Sequence, residues 1–153
     1  MKPAYEAALN LLTARDMTAH DLKAALRRRG YLEPVSESVC ERLIENRLID
    51  DGRYAQRYVE LRQDSAIGRY AMKRKLRAKG IDETVAEEAL EAIDDESQLA
   101  SAKELAAKYA RRYAGEEPYA RRSKLSQALA RRGYSWDIIN EAIESVGLDA
   151  EDW

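Results

Sequence analysis

Apolar positions recur along this chain at intervals of three and four, the spacing of one helical face at 100° per residue, and no sustained alternation of period two appears. Tyr5, Leu9 and Leu12 predict a first amphipathic helix over about 4–15. Thr18, with Asp21 three residues on, reads as the N-cap of a second helix whose buried stripe is Leu22 and Leu26, ending at Gly30. Tyr31, Pro34, Val35, Val39 and Leu43 mark a third, with Glu33, Glu37, Glu41 and Glu45 along its exposed side. Leu48 to Gly52 is then a joint, and Asp51 is expected to cap a helix carrying Tyr54, Tyr58 and Leu61 on its core stripe.

Placing Gly30, Gly80 and Gly133 in register exposes an internal repeat. Eight residues before each glycine stand Leu22, Met72 and Leu125, and four before stand Leu26, Leu76 and Leu129. The match continues beyond it with Tyr31, Ile81 and Tyr134, then Val35, Val85 and Ile138, then Leu43, Ile93 and Val146. A helical segment precedes each unit, holding Leu9 and Leu12, then Tyr54 and Tyr58, then Leu105 and Tyr109. The glycines are spaced by 50 and then 53 residues, the extra length fitting the turn from Tyr113 to Pro118. The pattern predicts an all-α chain of three three-helix repeats, at 1–50, 51–96 and 97–148, with a tail at 149–153, in which stacking supplies part of each small unit's stability.

Composition narrows the chemistry. Of 153 residues 35% are charged, yet the net charge is only −2, so a nucleic-acid role has to rest on how charge is distributed. The distribution is uneven. Arg69 to Gly80 carries six basic side chains and no acidic one, whereas the segment after it is acidic as far as Glu96. Helical geometry puts Met72 and Leu76 on one face and Tyr70, Arg74 and Arg77 on the other, with Lys79 near the apolar edge, where its stem can snorkel. Basic residues recur in the equivalent helices: Lys23 and Arg27 to Arg29 in the first repeat, Arg121, Arg122, Lys124, Arg131 and Arg132 in the third. Dipole matching accounts for cations at a helix end, but not for Arg69, Lys73 and Arg74 in earlier turns. Such a row suits an anionic partner, by phosphate contacts or by arginine–carboxylate pairing.

Other chemistries lack residues. His20 is the single histidine and Cys40 the single cysteine, so neither a His-rich metal site nor a disulfide can form within the chain. Cys40, beside Val39, is expected to be a small buried hydrophobe. No phosphate-binding glycine loop, nucleophile–base pair or 18-residue apolar run is present, so no catalysis, cofactor, metal or membrane span is expected and a cytoplasmic location is; the residues leave oligomeric state open, with a monomer the expectation.

These residues carry a resemblance. The order Leu48-Ile49-Asp50-Asp51, Arg53-Tyr54-Ala55, Tyr58-Val59, Gly68, Leu76 and Lys79-Gly80-Ile81 resembles RecX, the family of bacterial regulators of the RecA recombinase. Leu12, Arg15, Thr18, Leu22, Leu26 and Gly30 are similar to the family's first unit, and Leu125, Leu129, Arg132-Gly133-Tyr134 and Ile138 to its last. Tyr54 and Tyr58 stand where phenylalanine is common, and Gln63-Asp64 where basic residues are frequent. The resemblance implies an elongated, curved, non-enzymatic stack that lodges in the groove of the RecA–single-stranded-DNA filament and restrains ATPase, filament growth and strand exchange. The contact residues expected on that reading are Lys23, Arg27, Arg28, Arg69, Tyr70, Lys73, Arg74, Arg77, Lys124 and Arg131. The alternatives are a stand-alone DNA-binding protein using the same residues, or a helical scaffold whose charges pair with one another.

Overall fold

The three glycines in register share one conformation, with φ of +94° at Gly30, +80° at Gly80 and +92° at Gly133. Each closes a helix in the same way. The glycine N–H donates to the carbonyl of Arg27, Arg77 or Ala130 (2.9, 2.9 and 3.0 Å), and the next N–H, of Tyr31, Ile81 or Tyr134, to that of Leu26, Leu76 or Leu129 (3.2, 3.2 and 3.3 Å). This paired closure uses up two of the carbonyls a helix end leaves open, and the left-handed residue it needs is cheapest as glycine.

The structure, a computed structural model, describes residues 2–63 and 65–147. The expected 149–153 tail lies outside them. Among the described residues there are nine α-helices and no strand: α1 (Lys2–Ala14), α2 (Ala19–Arg28), α3 (Glu33–Glu45), α4 (Asp51–Arg62), α5 (Arg69–Ala78), α6 (Glu83–Leu90), α7 (Asp95–Arg112), α8 (Pro118–Arg131) and α9 (Trp136–Ser145). They form an all-α tandem of three-helix repeats.

By packing, the chain falls into two units. One comprises the residues up to Tyr58 with Leu76–Ala89, the other Val59–Lys75 with the residues from Leu90 onward, so the division passes through α4 and α5. In the first unit Ala4 and Ala8 of α1 pack with Leu22 and Leu26 of α2 and with Val39, Cys40 and Leu43 of α3. In the second, Ala102, Leu105 and Ala106 of α7 meet Leu125 and Leu129 of α8 and Ile138, Ile139 and Ile143 of α9. Met72, Leu76 and Ile81 are also fully enclosed. Each such side chain contributes about 1.5–3 kcal/mol through burial.

The caps show where local pattern and structure part. Thr18 accepts the Asp21 N–H at 3.2 Å, the predicted cap. Asp51, by contrast, does not cap α4. Asp50 does, its Oδ1 accepting the Arg53 N–H at 3.0 Å, while Asp51 Oδ1 reaches across to the Ala19 N–H at the start of α2 (3.0 Å). With two adjacent aspartates, the tertiary demand of an orphan donor on α2 decided which one capped locally. Leu61 is also not on the core stripe. It is 69% exposed, and Ala55, Tyr58 and Val59 turn inward instead. In α1 the innermost residues are Ala4 and Ala8, with Tyr5, Leu9 and Leu12 flanking them half-buried, because alanine lets backbones approach closely. Tyr31 precedes α3 and is half-buried.

Candidate interface on the basic helices

Helix α5 has one buried face, with Ala71, Met72 and Leu76, and one wet face, with Tyr70, Arg74, Lys75 and Arg77. Tyr70 is 57% exposed, a large aromatic standing among cations. Arg74 and Lys75 are exposed and enter none of the ion pairs described below. Arg77 is exposed too, but its guanidinium donates to the Ile81 carbonyl at 3.1 Å. Lys73 is half-buried on the flank.

The remaining cations are more committed. Arg69 is half-buried and ties the start of α5 to α7: its guanidinium pairs with Asp95 at 2.6 Å and also donates to the Ile93 carbonyl, while its backbone N–H donates to Gln98 Oε1 at 3.0 Å. Lys79 pairs with Asp21 at 3.3 Å. In the third repeat Lys124 pairs with Glu116 and sits 5.5 Å from the Tyr113 ring centre, whereas Arg131 is exposed. In the first, Lys23 is half-buried, Arg27 lies 3.7 Å from Glu33, and Arg28 and Arg29 are exposed with no ion pair among the described residues. So the expected contact residues divide. Among the described residues Tyr70, Arg74, Arg28 and Arg131 present free ends, Arg77 a lightly held one, and Arg69 and Lys124 are occupied within the chain. Sequence reasoning left out Lys75 and Arg29, which are exposed like Arg74, and Trp136, 64% exposed at the first turn of α9.

Two junctions position the basic helices, and the repeat register relates them. In the first unit, the Thr18 hydroxyl at the start of α2 donates to the Lys79 carbonyl at the end of α5 (2.7 Å), and a Cβ on Gly80 would fall 2.2 Å from His20 Cβ. In the second, the Gly68 and Tyr70 N–H groups at the start of α5 donate to the Arg132 and Gly133 carbonyls (2.7 and 3.1 Å). There a Cβ on Gly133 would fall 2.4 Å from Ala71 N, and one on Gly68 only 2.2 Å from the Gly133 carbonyl carbon. Thr18 and Gly68 are equivalent in the register, as are Lys79 and Arg132. Each junction sets donors of one helix start, the cap hydroxyl of Thr18 in the first and backbone N–H groups in the second, against open carbonyls of another's end, so the partial charges attract.

Titratable groups off the basic face have local explanations. Asp94, the N-cap of α7, accepts the Ser97 N–H at 2.6 Å, and that bond, with a smaller pull from Arg69, holds its carboxyl below the usual range. Burial raises the Tyr134 hydroxyl, which shares a 2.8 Å hydrogen bond with Ser101. Burial likewise raises the Cys40 thiol, against the opposing charge of Lys23. Among the described residues no group of three or more His, Cys, Asp or Glu could hold a metal ion, and no helix is long and apolar enough to cross a membrane.

Family models for the RecX first, second and third three-helix domains match residues 4–43, 50–90 and 95–143 in that order. The chain belongs to the RecX family. It is 35% identical over 148 residues to the Regulatory protein RecX of Streptomyces coelicolor, covering 94% of this chain and 79% of that one. To the Regulatory protein RecX of Mycobacterium leprae it is 39% identical over 137 residues, covering 88% and 80%. The crystal structure of RecX from Lactobacillus salivarius superposes with a TM-score of 0.87 at 32% identity, over 96% of both chains. RecX is a family of regulatory proteins, which agrees with the resemblance read from the central block around Asp50-Asp51 and Lys79-Gly80-Ile81.

Proposed function

We propose that this chain regulates RecA by docking on the RecA–single-stranded-DNA filament through the exposed cations of α5, supported by those of α2 and α8. It catalyses no reaction itself. It restrains filament growth, ATP hydrolysis and strand exchange by holding its target, needs no cofactor, and acts as a cytoplasmic monomer. The observation that carries the reading is the wet face of α5, where Tyr70, Arg74, Lys75 and Arg77 stand together with no acidic residue between Arg69 and Gly80. A filament offers carboxylates and phosphates side by side. Arginine binds either in bidentate fashion, and tyrosine adds a stacking face for an unpaired base. Basic helices repeated along one chain bind as tethered sites, so modest contacts at each combine into a useful affinity.

Charge reversal at Arg74→Glu together with Arg77→Glu tests this. Each lost charge-assisted contact is worth about 1.5–3 kcal/mol, so filament affinity is expected to fall by at least tenfold and inhibition of the DNA-dependent ATPase to be relieved, with helical circular dichroism unchanged. Inhibition at full strength from the double variant defeats the proposal.

A further inference from the structure

The two junctions imply a third position of the same kind. At Gly80 and Gly133 the glycine turn is covered by the start of another helix, which fills the space a side chain would occupy and donates to the carbonyl just before the glycine or on it. At Gly30 the turn is built identically, but nothing lies within 4 Å of where a Cβ would stand. The Arg29 carbonyl, equivalent to those of Lys79 and Arg132, accepts no hydrogen bond from any described residue.

A second observation concerns Leu32. Two residues beyond the glycine the other repeats place Asp82 and Ser135, and each caps the following helix, Asp82 taking the Thr84 N–H at 3.2 Å and Ser135 the Ile138 N–H at 3.4 Å. Leu32 holds nearly the same backbone angles as Ser135 (φ −68°, ψ 150° against −71°, 158°) but gives α3 no side-chain cap and is 73% exposed. A side-chain cap stabilises a helix start, so an exposed leucine there costs stability twice, once in the missing bond and once in wetted apolar surface.

We propose that the turn from Arg28 to Leu32 is a docking surface for the acidic first turn of a helix in a protein partner. The chemistry selects that occupant. Open carbonyls accept from N–H or O–H donors, which a helix start or its cap hydroxyl supplies, as Thr18 and Gly68 do at the other two turns, and which a phosphodiester lacks. Arg28 and Arg29, exposed and unpaired, suit carboxylates in the same first turn, and Leu32 meets the apolar residue that commonly flanks a helix entry. The start of α8 in a second copy fits poorly, because it brings Arg121, Arg122 and Lys124 against the arginines.

Taking the RecA–DNA filament as the probe makes the test rest on the function proposed above. Leu32→Ser copies Ser135. It is expected to raise Tm by about 2–4 °C through the restored cap and to weaken filament binding about tenfold. A stabilised variant that binds the filament as tightly as the parent overturns the inference while leaving the proposed function intact. A parent chain that does not bind the filament removes both. A photo-crosslinker on Arg29→Cys identifies the occupant, since Cys40 is 2% exposed and leaves the label to the new thiol. Adducts on an acidic helix start of the filament protein support the inference; adducts on DNA or on a second copy of this chain refute it.

Discussion

Gly30, Gly68 and Gly133 separate two reasons for glycine that sequence alone cannot distinguish. Gly30 needs only its left-handed φ, Gly68 needs only space, and Gly133 needs both. Alanine at Gly30 is therefore expected to cost about 1–2 kcal/mol, the penalty of a Cβ in a left-handed conformation. At Gly68 the cost is steric, about 1–3 kcal/mol, because the nearest atoms are backbone and cannot rotate away. Gly133→Ala should incur both and be the most destabilising of the three. Urea midpoints for the series check the order, and a Gly30→Ala variant as destabilised as Gly133→Ala would contradict it. Gly80 repeats the Gly133 case, with a positive φ and with His20 Cβ, which no side-chain rotation can move, 2.2 Å from where its own Cβ would stand.

Among the elements, α7 carries the clearest pH signature. Asp94 caps it, and the Ser97 N–H lowers the carboxyl's pKa in the folded state. A depressed carboxylate contributes stability that is complete above its unfolded value, near 3.9, and is lost as pH falls through the folded value. Asp94→Asn keeps a capping oxygen but cannot ionise. The expected outcome is a flatter acid limb below about pH 4 and little change at neutral pH, measured as urea midpoints across pH; an acid limb identical to the parent's would refute it. Sequence legibility also varied by element. The glycine register located every second helix, and the faces of α5 followed from periodicity, with Met72 and Leu76 inside and Tyr70 and Arg74 outside. Periodicity describes one helix at a time, however. It could not show that Arg69 would be held by Asp95 and the Ile93 carbonyl, or that Asp51 would serve α2. Nor does periodicity place Leu32, which precedes α3 and is 73% exposed beside the uncovered Gly30 turn.

For the molecule as a whole, a net charge of −2 conceals basic and acidic segments kept apart along the chain, and this bears on which target is preferred. The segment from Asp82 to Glu96 holds eight acidic residues and no basic one, so a bare nucleic-acid strand that attracts α5 repels its neighbour. A filament that offers protein as well as phosphate can meet both signs, and the contacts proposed for Leu32 and Tyr70 do not depend on counterion release. The two candidate targets should then respond differently to salt. Binding to bare single-stranded DNA should fall with a log–log slope of about −0.7 per phosphate contacted, which for three or four free cations amounts to a slope of about −2 to −3. Binding to the RecA–DNA filament should be tighter at every salt concentration and decline less steeply. Fluorescence anisotropy titrations from 50 to 300 mM salt measure both. Equal affinities with equal slopes would mean that the phosphates alone are recognised, and would favour a stand-alone DNA-binding protein over a regulator of the filament.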